Sequence, residues 1–416
     1  MREIHVEGTC TSAIIYTVED EGTALDQHAL AQVRMLCDTE ACEGSVIRVM
    51  PDVHAGKVGP VGLTMSIGER VMPALIGNDI GCGVTITQIA NLKRGLKSDD
   101  CRRLDAVIRE RVPSGSANRA SPHPWAEDFD LSELRCARHI QLGRAIAGLG
   151  TLGGGNHFIE VDRKDRSHVM AGAFEYFILD DELLGDEQSR AVEAKQDACL
   201  PGSHFLVVHS GSRNLGQQVY DHYMRVGRDA LKRAGLHVPY EMTWLEGELA
   251  QDYLHDVQIV CRFAELNRQI MQREIFKGMK WKSGESFSSM HNYIGADGIL
   301  RKGAVSARTG ERVIIPTNMR DGCILAIGKG NSEWNMSAPH GSGRILMRTE
   351  VKRRHTVSEY RKEMQGVYCS CIGPATLDEA PFAYRPMEDL VGAIESTVEH
   401  SATLVPTYCF KAGSGD

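Results

Sequence analysis

Apolar residues along this chain fall into short runs separated by glycine-rich turns, with two longer stretches of helical period between them. Ser45-Val-Ile-Arg-Val-Met50, Val84-Thr-Ile-Thr-Gln-Ile89, Phe205-Leu-Val-Val-His209 and Cys323-Ile-Leu-Ala-Ile327 have the length and β-branched content of strands. Residues 244–276 place Tyr253, Val257, Val260, Ala264 and Met271 near a 3.6-residue period, which predicts a long helix with an apolar stripe. A second helix is predicted over 215–234, directly after a glycine cluster. Strands and helices do not alternate regularly, so a doubly wound parallel sheet is not indicated. The pattern predicts an α+β fold, a mixed β-sheet core with helices packed outside, in a single domain spanning residues 1–416. No internal repeat or low-complexity linker interrupts it, and the polar stretch 114–124 reads as a surface loop.

Composition narrows the class. With 42% hydrophobic and 25% charged residues the chain is that of a globular protein. Its formal net charge of -8 supplies no global basic field, so a polyanionic partner would have to be held by a local basic patch. The opening MREIHVEGTC lacks the apolar run of a signal peptide, and no stretch approaches the roughly 18 apolar residues of a membrane span. Twelve scattered cysteines read as reduced thiols, which gives a cytoplasmic expectation.

The 42 glycines cluster at 77–83, 150–155, 211–216 and 341–343, each time beside His, Cys, Asn or Asp. In Ile76-Gly-Asn-Asp-Ile-Gly-Cys-Gly83, glycines on both sides of Cys82 would let it and Asp79 turn toward one metal; the plainer alternative is a tight turn with a buried Cys. His157 follows three successive glycines in Leu152-Gly-Gly-Gly-Asn-His-Phe-Ile-Glu160, a backbone able to approach a phosphate, although neither a P-loop nor a dinucleotide fingerprint is present. His209 ends a strand in Val207-Val-His-Ser-Gly-Ser-Arg213, and His291 lies in Met290-His-Asn-Tyr293 without apolar periodicity. Three imidazoles, a thiolate and a carboxylate suit a borderline transition metal, and a bridging thiolate would let the set hold two ions. His340, in Ala338-Pro-His-Gly-Ser-Gly-Arg344, is a candidate nucleophile with an Arg four residues on, or else part of a flexible surface loop.

Taken in order, Met50-Pro-Asp-Val-His-Ala-Gly-Lys57, the segments 76–83 and 152–160, His209-Ser-Gly-Ser-Arg213, Lys302-Gly-Ala304, His340-Gly-Ser-Gly-Arg344 and Glu379-Ala-Pro-Phe-Ala-Tyr384 resemble the RtcB RNA ligases, from about residue 10 to Gly413. The resemblance implies a GTP-dependent ligase with two Mn²⁺ ions, bound by Asp79, Cys82, His157, His209 and His291. It implies that His340 is guanylylated, and that the GMP passes to an RNA 3′-phosphate, available directly or from a 2′,3′-cyclic phosphate. A 5′-hydroxyl would then attack that end, in tRNA splicing or RNA repair. By the same resemblance Asn156 lies near the α-phosphate, Glu160 reads the guanine edge, Tyr384 packs on the nucleotide and Lys411 completes the pocket. Arg213, Lys302, Arg344 and Arg348 are its candidates for RNA phosphate, and an archease is a candidate activator. Two segments depart from several members: Ile315-Pro-Thr-Asn-Met-Arg-Asp-Gly322 replaces a shorter Pro-Gly-Ser-Met-Gly near the nucleotide phosphates, and Pro113-Ser-Gly115 lacks a following His. The rival readings are a metallohydrolase, which gives no reason for His340, Glu160 and Lys411 together, and a non-catalytic RNA-binding protein, which has no need of every metal ligand.

Overall fold

The computed structural model describes residues 1–18, 25–165 and 203–412; Gly413, the end of the C-terminal motif, lies outside them. The fold is mixed α+β. One sheet has the strand order Arg2–Glu7, Ser12–Thr17, Ile47–His54, Val61–Ser66, Ile299–Lys302, Asn292–Ile294. A larger sheet runs Arg312–Asn318, Gly322–Gly328, Val398–Phe410, Phe158–Lys164, His204–Ser210, Gly83–Ile89, Ser283–Met290, with Tyr368–Cys369 added in parallel to Val398–Phe410. Ala304–Ser306 and Ser337–Pro339 pair separately. Among the described residues no helix is long and apolar enough to cross a membrane.

The four predicted strands and both predicted helices are present, the helices as Asn214–Arg233 and Gly247–Met279. Residues 114–123 form no helix or strand, yet this loop is tied down: Arg119 donates to the carbonyls of Arg111, Leu149 and Gly150.

Strand alternation sorts the two faces of the larger sheet. Ile159, Val161, Leu206 and Val208 point to one face and pack with Leu104, Ile108, Met271 and Ile275 of the helices Ser98–Arg111 and Gly247–Met279. Phe158, Phe205 and Val207 point to the other, against Val84, Ile314, Cys323 and Leu404. His209 belongs to this second face, its ring 5.2 Å from that of Phe158.

The long helix also carries buried polar residues that clamp loops. Arg268, fully buried, donates to the carbonyls of Gly81 (2.9 Å) and Ser210 (2.8 Å) and to Thr85 Oγ1 (2.9 Å). Its neighbour Asn267 accepts from the amides of Gly150 and Thr151 and donates to the carbonyl of Gly211. Two adjacent side chains on one rigid element thus fix the three glycine-rich segments next to Asp79, Cys82, His157 and His209, four of the five predicted metal ligands.

Candidate metal and nucleotide site

The strand Gly83–Ile89 begins just after Cys82, and its antiparallel neighbour His204–Ser210 ends just past His209, so the two side chains meet at one edge of the sheet. Cys82 Sγ lies 3.3 Å from His209 Nε2 and 3.5 Å from His157 Nε2. His209 Nε2 is 3.2 Å from His291 Nε2, and Asp79 Oδ2 is 3.5 Å from His157 Nε2. These donors form two triads, Cys82–His209–His291 and Asp79–Cys82–His157, each with its atoms within 4.8 Å of one another, and Cys82 is common to both. Glycine is required nearby, since a Cβ on Gly211 would stand 2.1 Å from Asp79 Oδ1.

Two of the imidazoles are oriented from behind. His157 Nδ1 faces the carbonyl of Leu152 at 2.9 Å, and His209 Nδ1 faces that of Asn156 at 3.1 Å. A carbonyl only accepts, so Nδ1 carries a proton in both rings, which leaves Nε2 as the atom that faces the cluster and can offer a lone pair to a cation. Burial pushes the Cys82 thiol well above its ordinary value, and the Asp79 charge adds to this. Burial likewise pushes His209 and His291 well below theirs, reinforced by the neighbouring imidazoles. Burial acts to raise Asp79, but the hydrogen bond and charge of His157 outweigh it and bring the carboxyl down to about 2. Two imidazole Nε2 atoms 3.2 Å apart, beside a buried thiol, fit a set built for cations.

His340 sits between two cavities that flank this cluster. The first is lined by Asn156, Glu160, His209, His291, Arg344, Arg348, Tyr384 and Lys411, so the four residues expected at a nucleotide share one pocket with two metal ligands. Pro316, Thr317, Asn318 and Met319, from the departing segment, also line it. The second cavity is lined by Lys57, Asn78, Asp79, Cys82, Gln217, Tyr220 and Lys302, and both cavities reach Asn156, His291 and His340. Arg213 lines neither; it donates to Thr151 Oγ1 (3.0 Å) and the carbonyl of Gly115 (2.6 Å), bracing the loops around the site.

Several residues not singled out from sequence complete the arrangement. Asp52, buried in the strand Ile47–His54, places Oδ2 2.7 Å from His340 Nδ1. Glu379 is the hub of the nucleotide side: Lys411 Nζ donates to it at 3.0 Å and Tyr384 Oη at 2.7 Å, with Arg348 at 2.5 Å and Arg344 at 3.4 Å. Both lay inside the quoted motifs, Asp52 between Pro51 and Val53 and Glu379 between Asp378 and Ala380, with no local pattern that singled them out. Lys302 Nζ donates to the carbonyls of Val58 and Gly59, and burial lowers it to about 8.

The profile of a family described as tRNA-splicing ligase RtcB matches residues 32–135 and 127–412. The chain belongs to the RtcB family. Similar members include the RNA-splicing ligase RtcB of Escherichia coli strain K12, 27% identical, with 88% of this chain and 90% of that protein covered. RNA-splicing ligase RtcB2 of another E. coli strain is 29% identical over 91% and 90% of the two chains. The tRNA-splicing ligase RtcB of Thermococcus kodakarensis is 26% identical over 83% of each. The RtcB match thus runs through the candidate metal cluster, His340 and both cavities.

Proposed function

We propose that this chain is an RNA ligase acting as one catalytic domain in the cytoplasm, where Cys82 stays reduced, and that it joins RNA 3′-phosphate or 2′,3′-cyclic phosphate ends to 5′-hydroxyl ends using GTP. The observation that carries this reading is His340 standing between two cavities, held through Nδ1 by Asp52 and flanked by two ligand triads that share Cys82. Two Mn²⁺ ions bound by Asp79, Cys82, His157, His209 and His291 would supply Lewis-acid neutralisation of phosphate charge.

The residues divide the work. With Nδ1 committed to Asp52, His340 presents Nε2 as nucleophile to the α-phosphate of GTP. A P–N bond forms and pyrophosphate leaves. The RNA 3′-phosphate then takes the GMP, breaking the P–N bond; a cyclic end is first opened by water. Attack by the 5′-hydroxyl forms the phosphodiester and expels GMP. Asn156 holds the α-phosphate, Glu160 accepts from the N1–H and 2-amino donors of guanine, Tyr384 packs on the nucleotide, and Lys411 fixes the anionic wall of the pocket through Glu379. Lys302 in the second cavity, with Arg344 and Arg348 in the first, supplies the local positive charge that an acidic chain needs to hold RNA ends.

The test is incubation with radiolabelled GTP and Mn²⁺, then a denaturing gel and acid treatment, comparing wild type with His340→Ala. An acid-labile label on wild type alone supports the ligase. No label on folded, metal-loaded wild type, with an archease supplied, sinks it and favours a metallohydrolase.

A further inference from the structure

Behind the nucleotide pocket lies a second set of cation donors. Glu160 and Asp162 are two residues apart on the strand Phe158–Lys164 and so project from the same face. Cys323 comes from the strand Gly322–Gly328, on the far side of Val398–Phe410. The three approach because the intervening strand is irregular there: Pro406 stands opposite Asp162, and the register shifts between Pro406 and Tyr408. Their donor atoms lie within 4.8 Å of one another, and all three residues are buried, Asp162 and Cys323 completely.

This arrangement is weakly compensated, by the thiols of Cys409 beside Glu160 and Cys323 beside Asp162. Among the described residues neither oxygen of Asp162 has a well-aligned hydrogen-bond partner, a costly state for a carboxyl with no access to water. Lys411, the cation that acts on Glu160, has its ammonium bonded to Glu379. Two carboxylates and a thiol converging in a low-dielectric interior require a positive centre or retained protons. The donor geometry suits the centre: the three donor atoms lie within 4.8 Å of one another, close enough to surround one ion, and neither Asp162 oxygen is held by a well-aligned hydrogen bond among the described residues.

We propose that Glu160, Asp162 and Cys323 bind a zinc-class divalent cation, distinct from the cluster around Cys82. The thiolate argues against Mg²⁺ or Ca²⁺, and two carboxylates with one thiolate suit a borderline ion such as Zn²⁺. Three protein ligands leave one corner of a tetrahedron for water. Glu160 also lines the nucleotide cavity, which gives the ion a path of entry. One Glu160 oxygen on the ion leaves the other facing the cavity, so the cation would set the angle at which Glu160 meets guanine; that consequence, unlike the site itself, rests on the function proposed above.

The experiment is metal content after loading the full chain with Zn²⁺ under reducing conditions and dialysis, for wild type, Asp162→Asn, Cys323→Ser and Cys82→Ala. Asp162→Asn and Cys323→Ser should each lose one equivalent relative to wild type, while Cys82→Ala keeps that equivalent and loses those of its own cluster. Co²⁺ loading gives a second readout that needs no stoichiometry: in Cys82→Ala, the thiolate-to-cobalt charge-transfer band should remain, and it should vanish when Cys323→Ser is added. Circular dichroism checks that each variant is folded. Equal metal content in wild type, Asp162→Asn and Cys323→Ser, or a cobalt band indifferent to Cys323→Ser, overturns the proposal and assigns retained protons to the acid pair. Loss or survival of the Cys82-dependent equivalents reports separately on the ligase reading.

Discussion

Asp52 Oδ2 lies 2.7 Å from His340 Nδ1, and the Asp52 side chain is completely buried. A buried carboxylate behind an imidazole selects one tautomer and stabilises positive charge as the ring reacts, as in a Ser-His-Asp triad. Asp52→Asn keeps the size but loses the charge. Formation of the labelled GMP adduct should slow by about 10²- to 10⁴-fold, with metal content unchanged. Single-turnover labelling measures this, and a loss below about tenfold would remove Asp52 from the role.

Cys82 belongs to both ligand triads, whereas His291 belongs to one. Cys82→Ala should therefore abolish binding at both positions of the cluster, and His291→Ala should weaken one. The protection that Mn²⁺ gives against thermal unfolding follows the same order, since a ligand of the folded state stabilises by mass action, about 2.7 kcal/mol at a hundredfold excess over Kd. Elemental analysis beside a melting curve at several Mn²⁺ concentrations separates the cases. Equal losses in the two variants would contradict a shared thiolate.

The strands and helices with a clean period were legible in the sequence; those whose burial depends on tertiary context were not. Val398–Phe410 is the longest strand described, yet His400, Ser401, Thr403, Pro406 and Thr407 break its apolar pattern, and its proline is accommodated at a bulge. Asp79, Cys82, His157 and His209 were visible as residues beside glycines, because a close approach restricts both side chain and backbone, and His291 by the lack of apolar period around it. Asp52, Asn267, Arg268 and Glu379 were not visible in this way. They act on partners 288, 117, 187 and 32 residues distant, and local spacing carries no trace of such contacts. Arg213, a motif arginine expected at RNA phosphate, also holds Thr151 and Gly115, contacts that local spacing did not show.

If Lys302 holds RNA as proposed, it would tie RNA binding to pH. Burial brings its ammonium down to about 8, so the charge that would hold an RNA phosphate is present below that pH and lost above it. Between about 8 and the unfolded value near 10.4, the unfolded chain holds this proton and the folded chain does not, so this residue makes stability rise with pH across that window. The KM for RNA should climb as pH passes 8 while stability does not fall on account of Lys302. In Lys302→Arg the guanidinium stays charged, and the climb should move out of range. An RNA KM with the same pH profile in both proteins would assign the titration elsewhere.

Glu379 supports the nucleotide wall by a different balance. Burial acts to raise its carboxyl, but Lys411, Arg348 and Arg344 outweigh burial and hold it well below the usual carboxylate range. Because the folded value is depressed, the stabilisation is complete above the unfolded value near 4.3 and is lost as pH falls below it. Glu379→Gln removes the charge and leaves Lys411 buried without its partner, which should cost about 3–5 kcal/mol at neutral pH. In urea unfolding without nucleotide, the gap between wild type and variant should narrow as pH drops through the acid range, because wild type then loses the same charge. Adding Lys411→Met should return part of the loss, since an apolar replacement of both partners leaves no unpaired charge. If the double variant is less stable than Glu379→Gln alone, the pair is not the unit that holds this wall, and the stabilisation lies with Arg344 and Arg348 instead.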